Sequence, residues 1–528
     1  MEVGALNFEG LLPSLRDRVA RAAFLALDME FSGLFSTLSQ SNEPSMFDSP
    51  AERYQKARQS VQRFTTAQFG LAIFSNENSN KYVVHSYNFF LLPSMLGVSD
   101  VEFTLSASSI QFLSHYGFDY NKFLKDGIPY MNEVQEKILS QNLLADRWKV
   151  TGALDREVLK KAIDEVTSWI AAAQEEETMT LQDLSSYQML VVQLTLRQAL
   201  QNVWTQPLAG KKVMVKKVSP QHRQLLENSP HDCFQKELVL LSARGFTNLF
   251  HVLVKARKPL VGHNMLMDLM HLHDKFYRPL PESYEEFKRN IHDLFPVLID
   301  TRTVTKSIWQ KYPLPRVSNL LETHEVLCSS SRDPKDPAYP VIALASDCSR
   351  YAETSFPHEA GYDAFLCGSV LLMSAHLLLC RSTNDAVEAD PSFSQYLTEL
   401  AEYWNQVNFI RGGVSSINFS GEDAPCQHPP ALVVHVRGCP GLNERQIYQE
   451  FKALCRFDVR RLSKNQFILL SNKFKRVRLV LRNYKGHPHL QVSVYRYWMH
   501  SPRISCLLQV SSIVALWSLL AFVLGGAP

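Results

Sequence analysis

Cysteine is scarce in this chain and carries no pattern: nine residues lie scattered from Cys233 to Cys506 with no Cys-x2-Cys pair. That excludes a zinc ribbon and a disulfide framework, and it fits reduced thiols in the cytosol. Charge imbalance is equally slight. With 55 Lys and Arg against 52 Asp and Glu, the formal net charge is only +3, so any basic surface must be local. Low-complexity tracts are missing too. At 45% hydrophobic and 20% charged residues, the 528-residue chain reads as folded, with length for two or three domains. A secretory leader is not expected, because the first apolar run, near Phe24, is short, has no cleavage site and carries two acids.

That run is the informative stretch. In FLALDMEFSGL (24–34), four apolar residues lead directly into Asp28 and Glu30. The run reads as a buried strand, and the strand period of two puts both carboxylates on one face. Like charges at a buried strand end repel, and burial disfavours ionisation. Divalent cations would remove that cost, which makes the pair half of a metal site; a solvated strand end is the plain alternative.

Further along, 51–61 reads as a helix, 69–74 and 82–92 as strands, and 106–115, 121–125 and 129–144 as helices. From about 151 to 240 the strand–helix rhythm breaks. A helix through Leu159, Ile163, Val166 and Ile170 precedes the acidic run 175–177 and a second helix ending near Val203. KKVMVKK (211–217) reads either as a nucleic-acid contact or as a solvated edge strand guarded by lysines. The rhythm resumes with a helix at 246–255 and a strand at 259–262. Asn264 and Asp268 then follow four apart, on one face of a helix. His271 and His273 read as ordinary helix residues, and Asp300, which ends the strand in LIDT (298–301), as a turn or cap residue rather than a ligand. In FPHEAGYDAFLCG (356–368), Pro357 marks a helix entry, with His358 at its N-terminal edge and Asp363 pointing inward.

Asp-x-Glu on an early strand, Asn-x3-Asp after a strand–helix junction and His-x4-Asp on a late helix occur in that order. Together they resemble the signature of the DEDD 3′→5′ exonucleases whose third motif carries a histidine. The wording of FLALDMEFSGL, KPLVGHNMLMDLMHLHDKFYRPLP, FPVLIDT and HEAGYDAFLCG is similar to the poly(A)-specific ribonuclease family over most of residues 1–400. The resemblance implies an α/β fold: an RNase H-like mixed-sheet nuclease core with a helical insertion, a C-terminal RRM-like α+β domain and a C-terminal transmembrane helix. The implied divisions are nuclease core 1–150 and 246–400, insertion 151–245, linker 401–430, RRM-like domain 431–500 and tail anchor 504–524. Asp28, Glu30, Asp268 and Asp363 would hold two Mg²⁺ about 4 Å apart, with Mn²⁺ as a substitute. His358 would be the general base, completing a catalytic set of Asp28, Glu30, Asp268, His358 and Asp363. Asn264 would orient backbone or substrate.

The implied activity is removal of 5′-mononucleotides from the 3′ end of single-stranded RNA. Proofreading DNA exonucleases share the motifs, so RNA is favoured by the wording and the RRM-like unit. A membrane-tethered branch of the family trims PIWI-interacting RNA precursors. By resemblance, PIWI proteins, a Tudor-domain adaptor and a second copy of the chain are expected partners. An mRNA poly(A) deadenylase and a non-catalytic RNA-binding scaffold stand as alternatives.

The RRM-like unit reads β-α-β-β-α-β but is poor in stacking aromatics. His435 takes the aromatic place in its first strand, and Phe467 stands in the third. Arg460 falls where the family has a cap-stacking tryptophan, and is expected to attract phosphate with Lys473, Lys475, Arg476 and Arg478. No Arg-x3-His occurs between 151 and 245, so that insertion reads as degenerate. Residues 504–524 carry no charge and span about 32 Å as a helix, enough for a bilayer core. A buried helix is the alternative, since Ser505, Gln509, Ser511, Ser512 and Ser518 dilute the run. A tail anchor would leave the other domains in the cytosol, with the endoplasmic reticulum favoured over the mitochondrial outer membrane.

Overall fold

Phe24, Leu25, Ala26 and Leu27 are fully buried, as a continuous apolar run in the middle of a sheet requires. The computed structural model describes residues 1–528 except 36–43, 79, 95–100, 146–152, 183, 185, 209–211, 228–229, 331–338, 383–390, 426–428, 439–440, 455–456, 472 and 526–528. Lys211 and part of the predicted linker therefore lie outside the described residues. The Phe24 run belongs to an eight-stranded mixed sheet. Its strands are β1 (Glu2–Val3), β2 (Phe24–Phe31), β3 (Thr66–Asn78), β4 (Lys81–Pro93) and β5 (Ile128–Tyr130). After an insertion come the remaining three.

The insertion opens with a helix, Ala153–Ala172, and contains β6 (Thr178–Leu181), β7 (Val203–Leu208) and β8 (Lys212–Lys217). These pair in the order β6-β8-β7, so the lysine-flanked strand is central rather than an edge. Val213 and Val215 are buried in a core with Val166, Leu196 and Val203, to which Leu139 and Leu143 from before the insertion also contribute. Lys217 Nζ donates to the carbonyls of Ile170 and Ala173, closing the C-terminal end of the first helix, and Lys216 pairs with Glu176. The second predicted helix stops at Ala199, because Val203 begins a strand.

The main sheet resumes with β9 (Leu260–Gly262), β10 (Leu298–Asp300) and β11 (Val341–Leu344). Its path is β1-β4-β3-β2-β9-β10, with β5 and β11 also paired to β4. β2, β3 and β4 form an antiparallel meander, whereas β9 runs parallel to β2. Pro129 and Tyr130, expected as the start of a helix, lie in β5, which pairs with β4; the helix starts at Glu133 behind an Asn132 capping box with Gln135.

The helix Ala360–Ser382 packs on this sheet through Ala364, Cys367, Leu371, Leu372 and Ala375, against Phe24, Phe74, Val261 and Ile299. A Cβ on Gly368 would lie 2.1 Å from the Phe74 ring, so only glycine permits this approach. By length and hydropathy the helix passes for a membrane span, but 78% of its most apolar window is buried. It is the core helix of a globular unit.

By internal contacts the chain forms two compact units: Met1–Asn42, Ala57–Asn408 and Asn418–Glu422 in one, Glu43–Lys56, Phe409–Ile417 and Asp423–Pro528 in the other. Beyond the short strands β12 (Gln406–Asn408) and β13 (Ser416–Asn418), the second unit contains β14 (Leu432–Val436), β15 (Phe457–Ser463), β16 (Gln466–Ser471) and β17 (Leu490–Val494). They pair antiparallel in the order β15-β16-β14-β17. Helices Glu444–Phe451 and Phe474–Asn483 supply Phe451, Val477 and Val480 to a core with Leu432, Val434, Phe467 and Leu469. The unit ends in the helix Pro502–Gly525, whose Leu507, Ile513, Trp517, Leu520 and Phe522 are all exposed.

Candidate active site

Asp28 and Glu30 share one face of β2, with Met29 between them in the core. In the β2–β3 ladder Asp28 sits opposite Gly70 and Glu30 opposite Gln68. The register shifts immediately after Glu30, an irregularity of the kind that re-aims side chains beside active sites.

Asp268 arrives from the other side of β2. The chain leaving β9 turns at Asn264, which adopts a left-handed backbone (φ 58°), and the helix Leu266–His271 then opens. Asn264 and Asp268 therefore do not share a helical face: Asn264 precedes the helix, and its Oδ1 accepts from Asn408 Nδ2. Asp300 makes the turn possible. Fully buried at the end of β10, it accepts the backbone N–H groups of Asn264, Met265, Arg302 and Asn408. It caps the helix Thr301–Lys311, as the LIDT motif suggests, and has no oxygen to spare for a metal. His271 and His273 are core residues. His271 stacks on Phe31 and bonds Thr66; His273 bonds the Arg278 carbonyl and Asn290.

Asp363 lies in the first turn of Ala360–Ser382. His358 stands outside that helix, left-handed at φ 63°, and its backbone N–H donates to Asp363 Oδ2 at 3.0 Å. The predicted place at the helix edge is thus corrected to a tight turn before it, closed by Asp363 itself. The His358 ring packs against Phe112 and Tyr116, with centroids 4.6 and 4.3 Å away. Both aromatics are exposed on their outer sides. Sequence reasoning missed them, because a helix at 106–115 with one outward Phe looks unremarkable until its partner is known.

The five residues expected to carry the chemistry converge. Glu30, His358 and Asp363 each offer a ligand atom within 4.8 Å of the others. Asp268 lies close enough to Asp28 that its charge raises the proton affinity of that carboxyl. Burial first, then the charges of Asp363 and Asp268, hold the Asp28 and Glu30 carboxyls well above their ordinary range. Burial pushes Asp268 and Asp363 up to about 7. One Asp268 oxygen accepts the Met29 N–H, yet Oδ1 is buried with no hydrogen-bond partner. An unpartnered oxygen beside three more carboxylates is the donor set that a hard divalent cation satisfies. Among the described residues, Asp28, Glu30, Asp268 and Asp363 could hold such an ion, and His358 sits inside ligand reach as well. Burial lowers the His358 pKa, so its imidazole is neutral at pH 7.

In the second unit the aromatic expectations change. Phe467 is fully buried in the core and cannot stack on a base. Arg460 lies over the Phe47 ring, 4.8 Å from its centroid, so its guanidinium already has an aromatic partner. Asp458 on the same strand holds the neighbouring segments, accepting from the Met46 backbone and from Arg411. His435 lines an open, polar cleft of about 630 Å³ with Arg437, Lys464, Gln466 and Gln491.

Residues 3–371 match the family model described as CAF1 family ribonuclease. The chain is 57% identical over 530 residues to the poly(A)-specific ribonuclease PNLDC1 of Mus musculus, covering 99% of both chains. It is 26% identical to the pre-piRNA 3'-exonuclease trimmer of Bombyx mori, over 98% of this chain and 96% of that one. Against the human poly(A)-specific ribonuclease PARN the identity is 28%, over 94% of this chain and 80% of that one. With the family model and a near full-length relative in agreement, the chain belongs to the CAF1 family of ribonucleases.

Proposed function

We propose that this ribonuclease is a divalent-cation-dependent 3′→5′ exoribonuclease that releases 5′-mononucleotides and trims the 3′ ends of PIWI-interacting RNA precursors. The observation that carries the reading is the convergence of Asp28, Glu30, Asp268 and Asp363, with Asp268 Oδ1 left unpartnered. These four carboxylates would hold Mg²⁺, and the bound cations would acidify the attacking water and stabilise the charge on the leaving 3′-oxygen. His358, neutral at pH 7, would take the proton of that water at a ring nitrogen. The contacts of Phe112 and Tyr116 with its ring limit where that nitrogen points. Asp300 keeps the Asn264 turn closed and so carries Asp268 to the cluster.

The trimming role is supported by likeness to the Bombyx mori protein, whose name states that activity. A poly(A) deadenylase is the second reading, favoured by the name of the 57%-identical mouse relative. End-labelled single-stranded RNAs with and without a 3′ adenosine tail, offered to the purified full-length protein, separate the two. Equal trimming of both supports the precursor trimmer, and degradation confined to the tail supports the deadenylase. RNA left intact in Mg²⁺ would sink both readings and leave the non-catalytic scaffold.

The order β-α-β-β-α-β in the second unit supports an RRM-like reading, and the cleft around His435, Arg437 and Lys464 suits an RNA phosphate backbone better than a stacked base. The helix Pro502–Gly525, with its exposed apolar side chains and no charge after Arg503, suits a membrane anchor.

A further inference from the structure

The cluster draws on segments far apart in sequence, among them β2 and the start of the Ala360–Ser382 helix, and something must set the distance between these two. In the sheet, Asp28, Gly70 and Asn88 form one cross-strand row; Glu30 and Gln68 pair in the next row on the same face. The helix start rests on these rows. A Cβ on Gly70 would lie 2.0 Å from the Ala360 carbonyl oxygen and 2.5 Å from the Gly361 nitrogen. Its backbone thus sits directly on the glycine opposite Asp28.

The first N–H groups of a helix have no partner within it and are usually satisfied by a local capping side chain. Here two amides from the sheet take that place. Gln68 Oε1 accepts the Ala360 N–H at 2.9 Å, and Asn88 Oδ1 accepts the Gly361 N–H at 2.5 Å. Ser86 Oγ donates to the Gly361 carbonyl at 2.6 Å. Through its Nδ2, Asn88 also donates to Tyr351 and to Glu359, and Glu359 is paired with Arg350. Gln68 is 4% exposed and Asn88 is fully buried, so neither serves solvent. Residues 359–361 are therefore gripped from both sides, and His358 and Asp363 flank them.

We infer that Gln68 and Asn88 are positioning residues, which seat the start of the Ala360–Ser382 helix on Gly70 and thereby hold Asp363 and His358 at their working distance from Asp28 and Glu30. This rests on the exonuclease reading above. Gln68 touches no reacting group. It acts through the helix end, and because catalysis falls steeply with misplacement, a small lift of that end costs turnover rather than RNA affinity.

The test uses full-length protein carrying Gln68→Met, Asn88→Leu or both, assayed on a 3′-hydroxyl oligoribonucleotide in saturating Mg²⁺. Gln68→Met keeps the side-chain volume and removes the acceptor. Its kcat is expected to fall roughly ten- to hundredfold with KM for RNA within about twofold of the wild type. Both amides hold one rigid end, so the double variant should be no slower than the slower single variant. Hydrogen exchange should rise at Ala360 and Gly361 while the rest of the core stays protected. Wild-type kcat in folded Gln68→Met, or a lower melting temperature with unchanged turnover per folded molecule, overturns the inference. If the variants do not fold, the unsubstituted protein decides. Slow exchange at the Ala360 and Gly361 amides supports the seat, and fast exchange overturns it. Asp28→Ala separates the two claims. An active Asp28→Ala enzyme removes the exonuclease reading itself, whereas an inactive one beside a normal Gln68→Met removes only the positioning role.

Discussion

At the scale of single residues, the site is a set of carboxylates held against their own repulsion. Each of Asp28, Glu30, Asp268 and Asp363 binds its proton more tightly in the fold than in the unfolded chain, where carboxyls titrate near 4. A group with a raised folded pKa contributes stability at low pH that is lost as pH climbs from about 4 through about 7. In chelator, the denaturant midpoint is therefore expected to be higher at pH 5 than at pH 8, and Mg²⁺ at pH 8 should restore it. A flat profile in chelator would mean that the carboxylates are not packed as described. Asp268→Asn should raise metal-free stability at pH 8, because it removes one charge from the cluster. The same change should lower exonuclease turnover by ~100-fold or more, because the remaining acids cannot balance the cations. His358→Ala should slow turnover on the order of a hundredfold while leaving Mg²⁺ affinity nearly unchanged. Calorimetric titration checks this. A large loss of Mg²⁺ binding would turn His358 from base into ligand, a role its place among the Glu30 and Asp363 donors also permits.

At the scale of elements, the strands were the most readable parts and the turns the least. The run before Asp28 announced β2 because four consecutive apolar residues leave little choice but a buried strand. Asn264 and His358 defeated the reading for one reason: both sit left-handed just before a helix, and spacing alone counts them as helical. Gly70 did leave a trace, since a lone glycine inside QFGLAIF marks a close approach, but not what approaches. Arg460 was read from its charge alone. Its charge suggested phosphate, and the structure gives it Phe47. Arg460→Ala is accordingly expected to destabilise the second unit by about 0.5–1 kcal/mol, the worth of a cation–π pair near the surface, and Phe47→Ala by more, because its ring also packs against that unit's core. Neither should change RNA affinity at low salt. A clear drop in RNA binding by Arg460→Ala would return that residue to the phosphate.

At the scale of the whole molecule, removal of everything after His500 should leave a soluble, active enzyme, because the Pro502–Gly525 helix contributes exposed apolar side chains and none of the site residues. The full-length protein should resist extraction from membranes by alkaline carbonate, and its release would rule out a spanning helix. Residue types and their order were enough to name the ribonuclease family and to single out the carboxylates as candidates for hard-oxygen cation chemistry, because that chemistry demands particular side chains and the motifs are local. What the order of residues could not express is how far one motif lies from the next. The seat of the Ala360–Ser382 helix on Gly70, the amides of Gln68 and Asn88 that hold it, the rings of Phe112 and Tyr116 on His358 and the backbone N–H groups of Asn264, Met265 and Asn408 on Asp300 all join distant segments. Such contacts exist only once the sheet has brought its strands into register, so tertiary packing alone decided them.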